Sequence, residues 1–301
     1  MKKFFIKICR FFGFEIIDQN QFISPTLDKK LNEDLSILNE KSIVLPLGEV
    51  KITRKVNSIL IIVRVNTKVE VWDQNKRRLF EKPKLEYSIR SIKSLINSIN
   101  LCQSKYQNVI IKTIILDDSS KDENLDKIRE IIKDVNSEII SLDTRKFENK
   151  IKKQKTPETF SNLASLLKCF EIGKEIGEDL VFFVEDDYLH FETMLVEMIA
   201  TFERISSQLG KDIFMCPADY PYLYMNNKKT NILIGNRRHW RTVSKTLCTF
   251  MTSKKLLDVY WQNFLKNCED RHYPFEKYIN EIYEKEFCIS PLKSLSVHLT
   301  N

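Results

Sequence analysis

Three consecutive acids, Glu185, Asp186 and Asp187, close the apolar run Leu180 to Val184. Carboxylates crowded in this way repel one another and lose hydration, so a partner must offset the cost. A divalent cation carrying a polyphosphate suits that task, because hard cations prefer carboxylate oxygen. In an extended segment Glu185 and Asp187 point to one side and Asp186 to the other. Asp187 is then the expected metal ligand, with Glu185 and Asp186 supporting it. A second acid pair, Asp117-Asp118, closes the apolar run Val109 to Leu116. Asp118 at a strand end can accept hydrogen bonds from a base or a ribose, whereas Asp117 reads first as a turn cap. The plain alternative for either set is a solvated acidic turn.

Both sets need strands behind them, and the spacing predicts those strands. Ile59 to Val65 and Val109 to Leu116 are near-continuous apolar runs, and Glu138 to Leu142 is a shorter one. Between them, Ile89, Ile92, Leu95, Ile96 and Ile99 fall at helical spacing, and Leu125 to Val135 is amphipathic. Thr156-Pro157-Glu158 has the cap and first turn of a helix that runs through Asn162 to about Gly177. Alternating strand and helix predicts an α/β fold with a mostly parallel central sheet flanked by helices, whose ligands gather at the carboxyl ends of the strands. The second half is less regular. It offers helices over Phe191 to Leu209 and Ser253 to Phe264, a strand over Asp212 to Cys216, and a helix start at Pro274-Phe275-Glu276.

Composition narrows the classes. The chain has 301 residues, 43% hydrophobic and 11% aromatic, which is globular and large enough for a substantial core. The net charge of +7 is spread along the chain without a basic arm, so no nucleic-acid partner is expected. Seven cysteines are scattered singly, which argues against structural zinc and a disulfide framework and for a reducing cytoplasm. None of the six glycines forms a dinucleotide-binding or phosphate-loop motif.

The amino terminus, Met1 to Phe14, interleaves Lys3, Lys7 and Arg10 with phenylalanine and isoleucine. Read as a helix, the cations share one face, a pattern that fits peripheral contact at the inner face of a cytoplasmic membrane. Packing on its own domain or on a second subunit is the alternative. No run reaches the roughly 20 apolar residues needed to span a bilayer. Residues 1–55 are expected to form this helix and an extended strap, Asp18 to Lys41, with residues 56–301 as one catalytic domain.

The order of motifs resembles a known family. Arg64-Val65-Asn66-Thr67, Leu116-Asp117-Asp118-Ser119-Ser120, Ser161-Asn162-Leu163-Ala164 and Phe183-Val184-Glu185-Asp186-Asp187 follow one another as in family-2-like glycosyltransferases of the GT-A fold. The resemblance covers roughly residues 58 to 190 and is looser beyond. It implies a Rossmann-like nucleotide-binding half without a Gly-rich loop. Arg64, Asn66, Thr67, Asp117, Asp118 and Asn162 would then lie near the nucleoside, and Glu185-Asp186-Asp187 would be the metal motif. It also implies that His298 joins Asp187 as a ligand of Mn2+ or Mg2+. The catalytic base lies on a downstream acid: Asp270 of Glu269-Asp270 matches the pattern, with Glu276 and Asp219 as rivals. Two departures stand out. Glu158 to Ser161 replace the usual glycine and arginine, and the first strand lacks the common Pro-x-x-Asn ending.

The implied reaction moves a sugar from a nucleoside-diphosphate donor to a glycan or lipid-linked acceptor, with inversion. Arg237, Arg238, Arg241 and Lys245 would stabilise the departing diphosphate. Tyr220, Tyr222, Tyr224 and Trp240 would line the acceptor site. A nucleotidyltransferase and a degenerate, non-catalytic glycan-binding or scaffold protein are the competing readings.

Overall fold

The computed structural model describes residues 2–14, 36–39, 41–44, 48–68, 82–225 and 230–299. Most of the expected strap, residues 18–35, lies outside the described residues. The chain divides into two compact units, residues 1–51 and 52–301.

Among the described residues, the first unit holds helix α1 (Lys2–Phe11) and three strands, β1 (Ser36–Ile37), β2 (Lys41–Val44) and β3 (Gly48–Lys51), paired antiparallel in that order. Phe4, Phe5, Phe11, Phe12 and Phe14 are all exposed. No helix among the described residues is long and apolar enough to cross a membrane.

The second unit starts with the alternation that the spacing predicts: β4 (Ser58–Val65), α2 (Lys84–Lys105), β5 (Ile110–Asp117), α3 (Asp122–Ile132), β6 (Ser137–Ser141), α4 (Pro157–Ile176) and β7 (Leu180–Glu185). These strands lie parallel in the order β7-β4-β5-β6. Parallel crossovers are right-handed, so stepping from β4 to β5 to β6 places α2 and α3 on one face. Returning past β4 to β7 places α4 on the other, where it packs on β4. The sheet is thus covered on both sides, which is why β7 is buried from Leu180 to Val184. The reversal of direction between β4 and β7 leaves a crevice beyond their carboxyl ends, the usual ligand position in open α/β sheets.

Three further elements follow: β8 (Tyr188–His190), α5 (Met194–Leu209) and the very short β9 (Phe214–Met215). Next come β10 (Ile232–Ile234), β11 (His239–Thr242), β12 (Phe250–Ser253), α6 (Lys254–Val259), α7 (Trp261–Glu269) and α8 (Lys277–Ile282). Strands β13 (Cys288–Pro291) and β14 (Ser296–His298) close the fold. Strand β12 joins β7 antiparallel, with Phe250 opposite Phe183, and among the described residues extends the sheet to nine strands, β10-β11-β13-β9-β12-β7-β4-β5-β6. Besides the β7-to-β6 set, parallel pairing occurs between β9 and β13; the other pairs are antiparallel. Aromatic rings carry the core under this seam: Phe170 meets Phe183 edge-on at 5.0 Å and Phe264 at 4.9 Å.

Two expectations change here. The helix expected over Ser253 to Phe264 is two helices, broken at Tyr260, whose φ of −100° and ψ of 20° leave the helical region. The basic run Arg237 to Arg241 is part of the β10–β11 hairpin. Trp240 is fully buried there and lines no acceptor site. Gly235 makes that burial possible, since a Cβ at this position would lie 2.3 Å from the Trp240 indole nitrogen.

Candidate active site

Register sets the site. Arg64 of β4 is level with Glu185 of β7 and with Leu116 of β5, so the two acid sets flank the end of one strand.

On the β7 side, the alternation expected of an extended segment holds. Asp186 turns away to the start of α2, where Lys84 Nζ lies 2.6 Å from its carboxylate and the Ser88 hydroxyl donates to it. Glu185 and Asp187 turn the other way, toward His298, and one ligand atom from each of the three lies within 4.8 Å of the others. His298 Nε2 is 3.2 Å from Asp187 Oδ2. The histidine is delivered by β14, which pairs antiparallel with β8 and sets His298 opposite Tyr188, with the rings 4.7 Å apart. The Leu299 amide donates to the Asp187 carbonyl at 2.8 Å and secures that end.

Arg64 braces the same corner. Its guanidinium pairs with Glu185 and donates to Asn162 Oδ1 at 2.9 Å and Ser165 Oγ at 3.1 Å, tying α4 to β7. Burial pushes the Glu185 carboxyl upward, and the Asp187 charge adds to this, while Arg64 opposes it. Burial acts in the same direction on Asp187, but the hydrogen bond and charge of His298, with Lys84 and Arg64, outweigh it and hold that carboxyl low. For His298, burial disfavours the cation, yet Asp187 and Glu185 more than compensate and raise it.

The donor set suits a hard divalent cation: two carboxylates and an imidazole. One oxygen speaks to this directly. Asp187 Oδ1 is buried and has no hydrogen-bond partner among the described residues, a costly state that a bound cation would relieve. The residues present therefore fit a metal.

On the β5 side the partners are neutral. Asp117 caps its own turn, accepting the Ser120 amide at 3.2 Å, and burial raises its carboxyl against the effect of those bonds. Asp118 accepts Asn66 Nδ2 at 3.1 Å, Ser119 Oγ at 3.2 Å and the Ser161 hydroxyl. Ser119 has a φ of 64°, which turns the chain sharply after the strand. The Thr67 amide donates to Ser120 Oγ at 3.1 Å, and Thr67 Oγ1 accepts Asn124 Nδ2 at 3.0 Å. Arg64, Asn66, Thr67, Asp117, Asp118, Asn162, Glu185, Asp186, Asp187 and His298 thus gather around the ends of β4, β5 and β7.

The remaining candidates sit in sets of their own. Asp219 is paired with the buried Arg241 at 2.8 Å and accepts the Tyr224 hydroxyl at 2.6 Å, while the Arg241 guanidinium lies over the Tyr224 ring at 4.0 Å. Arg237 is exposed, and its backbone amide donates to Glu197 at 3.0 Å. Asp270 ends α7, where it accepts Gln154 Nε2 at 3.0 Å and the Arg271 amide at 2.8 Å and faces Lys152 at 3.6 Å. Glu276 is buried under the turn that precedes β12 and accepts the Leu247 and Cys248 amides at 2.7 and 2.6 Å. Tyr220 is buried as well, its hydroxyl shared with Tyr188 at 2.6 Å, so of the expected acceptor aromatics only Tyr222 and Tyr224 reach the surface.

Sequence reasoning overlooked Lys84, Ser88 and Thr249, whose Oγ1 accepts the Glu185 amide at 3.2 Å. A signal existed for the first two. The opening turn of the helix after β4 must lie at the carboxyl edge of the sheet, beside the acids.

No protein-family model matches the chain, and no curated protein matches it. Among solved structures, it is similar to residues 1–349 of S. aureus TarS, with 14% identity over 70% of this chain and 55% of that one, at a TM-score of 0.40. It is also similar to the inositol-1-phosphate CTP transferase from T. maritima, with 10% identity over 82% and 91% of the two chains and a TM-score of 0.41. The galactosyltransferase LgtC, in complex with donor and acceptor sugar analogues, is 9% identical over 74% and 70% of the chains, with a TM-score of 0.37. The chain spans about half the length of the TarS fragment. Likenesses this distant carry no argument by themselves. The α/β architecture rests on the strand order and register given above.

Proposed function

We propose that the chain is a divalent-metal-dependent glycosyltransferase that moves a sugar from a nucleoside-diphosphate donor to a glycan or lipid-linked acceptor, with inversion. The observation that carries this reading is the Glu185, Asp187 and His298 cluster, with its buried and unpartnered Asp187 oxygen, at the crevice between β4 and β7.

Glu185, Asp187 and His298 would hold the metal, Mn2+ or Mg2+, which when bound supplies charge neutralisation to a departing diphosphate. Asp118 offers its carboxylate to the nucleoside, beside Asn66 and Thr67, because hydroxyl and amide donors already orient it. Arg64 and Asn162 act as braces, holding Glu185 at the rim of α4. Arg237, Arg241 and Asp186 are kept as donor-side groups of lower rank, since Arg241 and Asp186 are already engaged in ion pairs. In the transfer, the acceptor hydroxyl oxygen bonds to the anomeric carbon as the bond from that carbon to the diphosphate breaks, and an acid takes the hydroxyl proton. Asp270 is the candidate for that carboxylate with surface access; Asp219 is its rival, with its two oxygens held by Arg241 and Tyr224.

The aromatic, cationic α1 adds a proposed peripheral contact with the inner face of the cytoplasmic membrane, in keeping with a lipid-linked acceptor. Residues 1–14 contain four basic residues and no acid, and their phenylalanines are exposed. Deleting them should lower co-sedimentation with anionic liposomes; unchanged co-sedimentation rejects the contact.

The decisive experiment follows the thermal melt of the purified chain with manganese and a panel of nucleoside diphosphates. One nucleotide should raise the melting temperature only when manganese is present. A melt that no nucleotide shifts, with or without metal, overturns the reading. Release of a nucleoside diphosphate rather than pyrophosphate from the donor separates glycosyl from nucleotidyl transfer.

A further inference from the structure

The turn Thr246–Thr249, just before β12, has an unusual backbone. Leu247 and Cys248 both adopt left-handed conformations, with φ of 51° and 59°. A residue with a side chain rarely takes this conformation, and two in succession persist only where the surroundings impose it. Successive amides in such a turn point into one concavity, which binds an anion. Here the anion is the Glu276 carboxylate. Its Oε2 accepts the Leu247 amide at 2.7 Å, and its Oε1 accepts the Cys248 amide at 2.6 Å and the Thr246 hydroxyl at 2.9 Å. Tyr283, at the far end of α8, meets the same Thr246 hydroxyl at 3.0 Å. Both ends of that helix therefore grip the turn.

The opposite side of the turn touches the site. Thr249 Oγ1 accepts the Glu185 amide at 3.2 Å, and the next residue, Phe250, is paired with Phe183 of β7. We infer that Glu276 is a positioning residue: it holds the Thr246–Thr249 turn in its left-handed form, and the turn sets the place of Glu185 through Thr249. A base needs a carboxylate oxygen open to the acceptor hydroxyl. Glu276 is 4% exposed, and both of its oxygens are occupied by donors of the turn. The inference rests on the reading of Glu185, Asp187 and His298 as the metal-holding set.

Two variants test it. Glu276→Gln keeps the shape, but the amide nitrogen cannot accept a backbone N–H, so one donor of the turn loses its partner. Thr249→Val keeps the branched side chain and removes only the oxygen that receives the Glu185 amide. Manganese alone is titrated into each protein, and free manganese is read by electron paramagnetic resonance. Turnover is then measured at saturating manganese. Both variants should bind manganese about tenfold more weakly than the unaltered chain, the usual cost of losing a group that orients a ligand. Turnover at saturating metal should be largely restored in both. If Glu276→Gln binds manganese as tightly as the unaltered chain and has lost turnover, the residue is the base and the inference falls. If both variants bind manganese normally, it falls as well. Should Glu276→Gln fail to fold, Thr249→Val carries the test alone. An unaltered chain that binds no manganese instead overturns the metal reading on which the inference rests.

Discussion

The two acid sets flank the same strand end yet are settled by opposite means. At the end of β5, Asp117 and Asp118 are met by uncharged donors: a backbone amide, a side-chain amide and serine hydroxyls. At the end of β7, Arg64 pairs with Glu185 and Lys84 with Asp186, and the His298 imidazole meets Asp187. Neutral donors can turn toward an incoming hydroxyl at little cost, so the β5 side suits a nucleoside. Ion pairs that are largely withdrawn from water are stiff and expensive to break, so the β7 side, with two such part-buried pairs, suits a fixed charge-handling site. The contrast explains how acids at adjoining strand ends can serve different parts of one ligand.

The sharpest way to break this comparison is Asp187→Ala. It removes the expected ligand together with the unpartnered oxygen, and manganese-dependent nucleotide binding should fall more than about 100-fold, beyond the loss usual for a merely orienting group. Full binding by this variant, measured calorimetrically, would sink the assignment. Lys84→Met is next. It strands a buried Asp186 without its cation and should cost about 3 kcal/mol of stability in urea denaturation. A loss under about 0.5 kcal/mol would show that the pair is no more than a surface contact. Asp118→Asn probes the other side. Nucleotide affinity should drop about tenfold, near the value of one hydrogen bond to a charged group, while affinity for manganese alone stays unchanged. Equal losses in both would mean that the two sides are not separate. Asp117→Ala should do least, costing about 1 kcal/mol of stability as a lost turn cap, with nucleotide binding intact.

Much of the first half was legible because its period was clean. Ile59 to Val65, the isoleucines of α2 and the Thr156-Pro157 cap announce β4, α2 and α4 by local rules, and the structure places them accordingly. The second half hides its pattern. The strand expected over Asp212 to Cys216 is present, but as β9 it is only two residues long, Phe214–Met215. The apolar spacing from Leu256 to Phe264 runs on through Tyr260, so the break between α6 and α7 leaves no trace in it. Trp240 was misread because its charged neighbours suggest a surface loop. In the hairpin, however, Trp240 goes inward while His239 stays exposed, and Arg241 is buried through its pair with Asp219. The acids themselves were visible by type and spacing. Their counter-ions were not, since Lys84 and Arg64 reach them only through the fold. His298 came into view through the family resemblance rather than from its own surroundings, and the structure brings it beside Asp187.

The pairing of β14 with β8 has a consequence for the order of assembly. Asp187 and Glu185 are carried by the early, parallel half of the sheet, whereas His298 arrives with β14, more than 100 residues further along the chain. Contacts between segments so far apart in the chain form late, after the local elements have condensed. A folding intermediate made of the parallel half would therefore expose its acids without the third ligand and hold metal weakly. Tight metal binding would then report completion of the fold, and a refolding experiment with manganese in the buffer should show metal uptake only in the final phase.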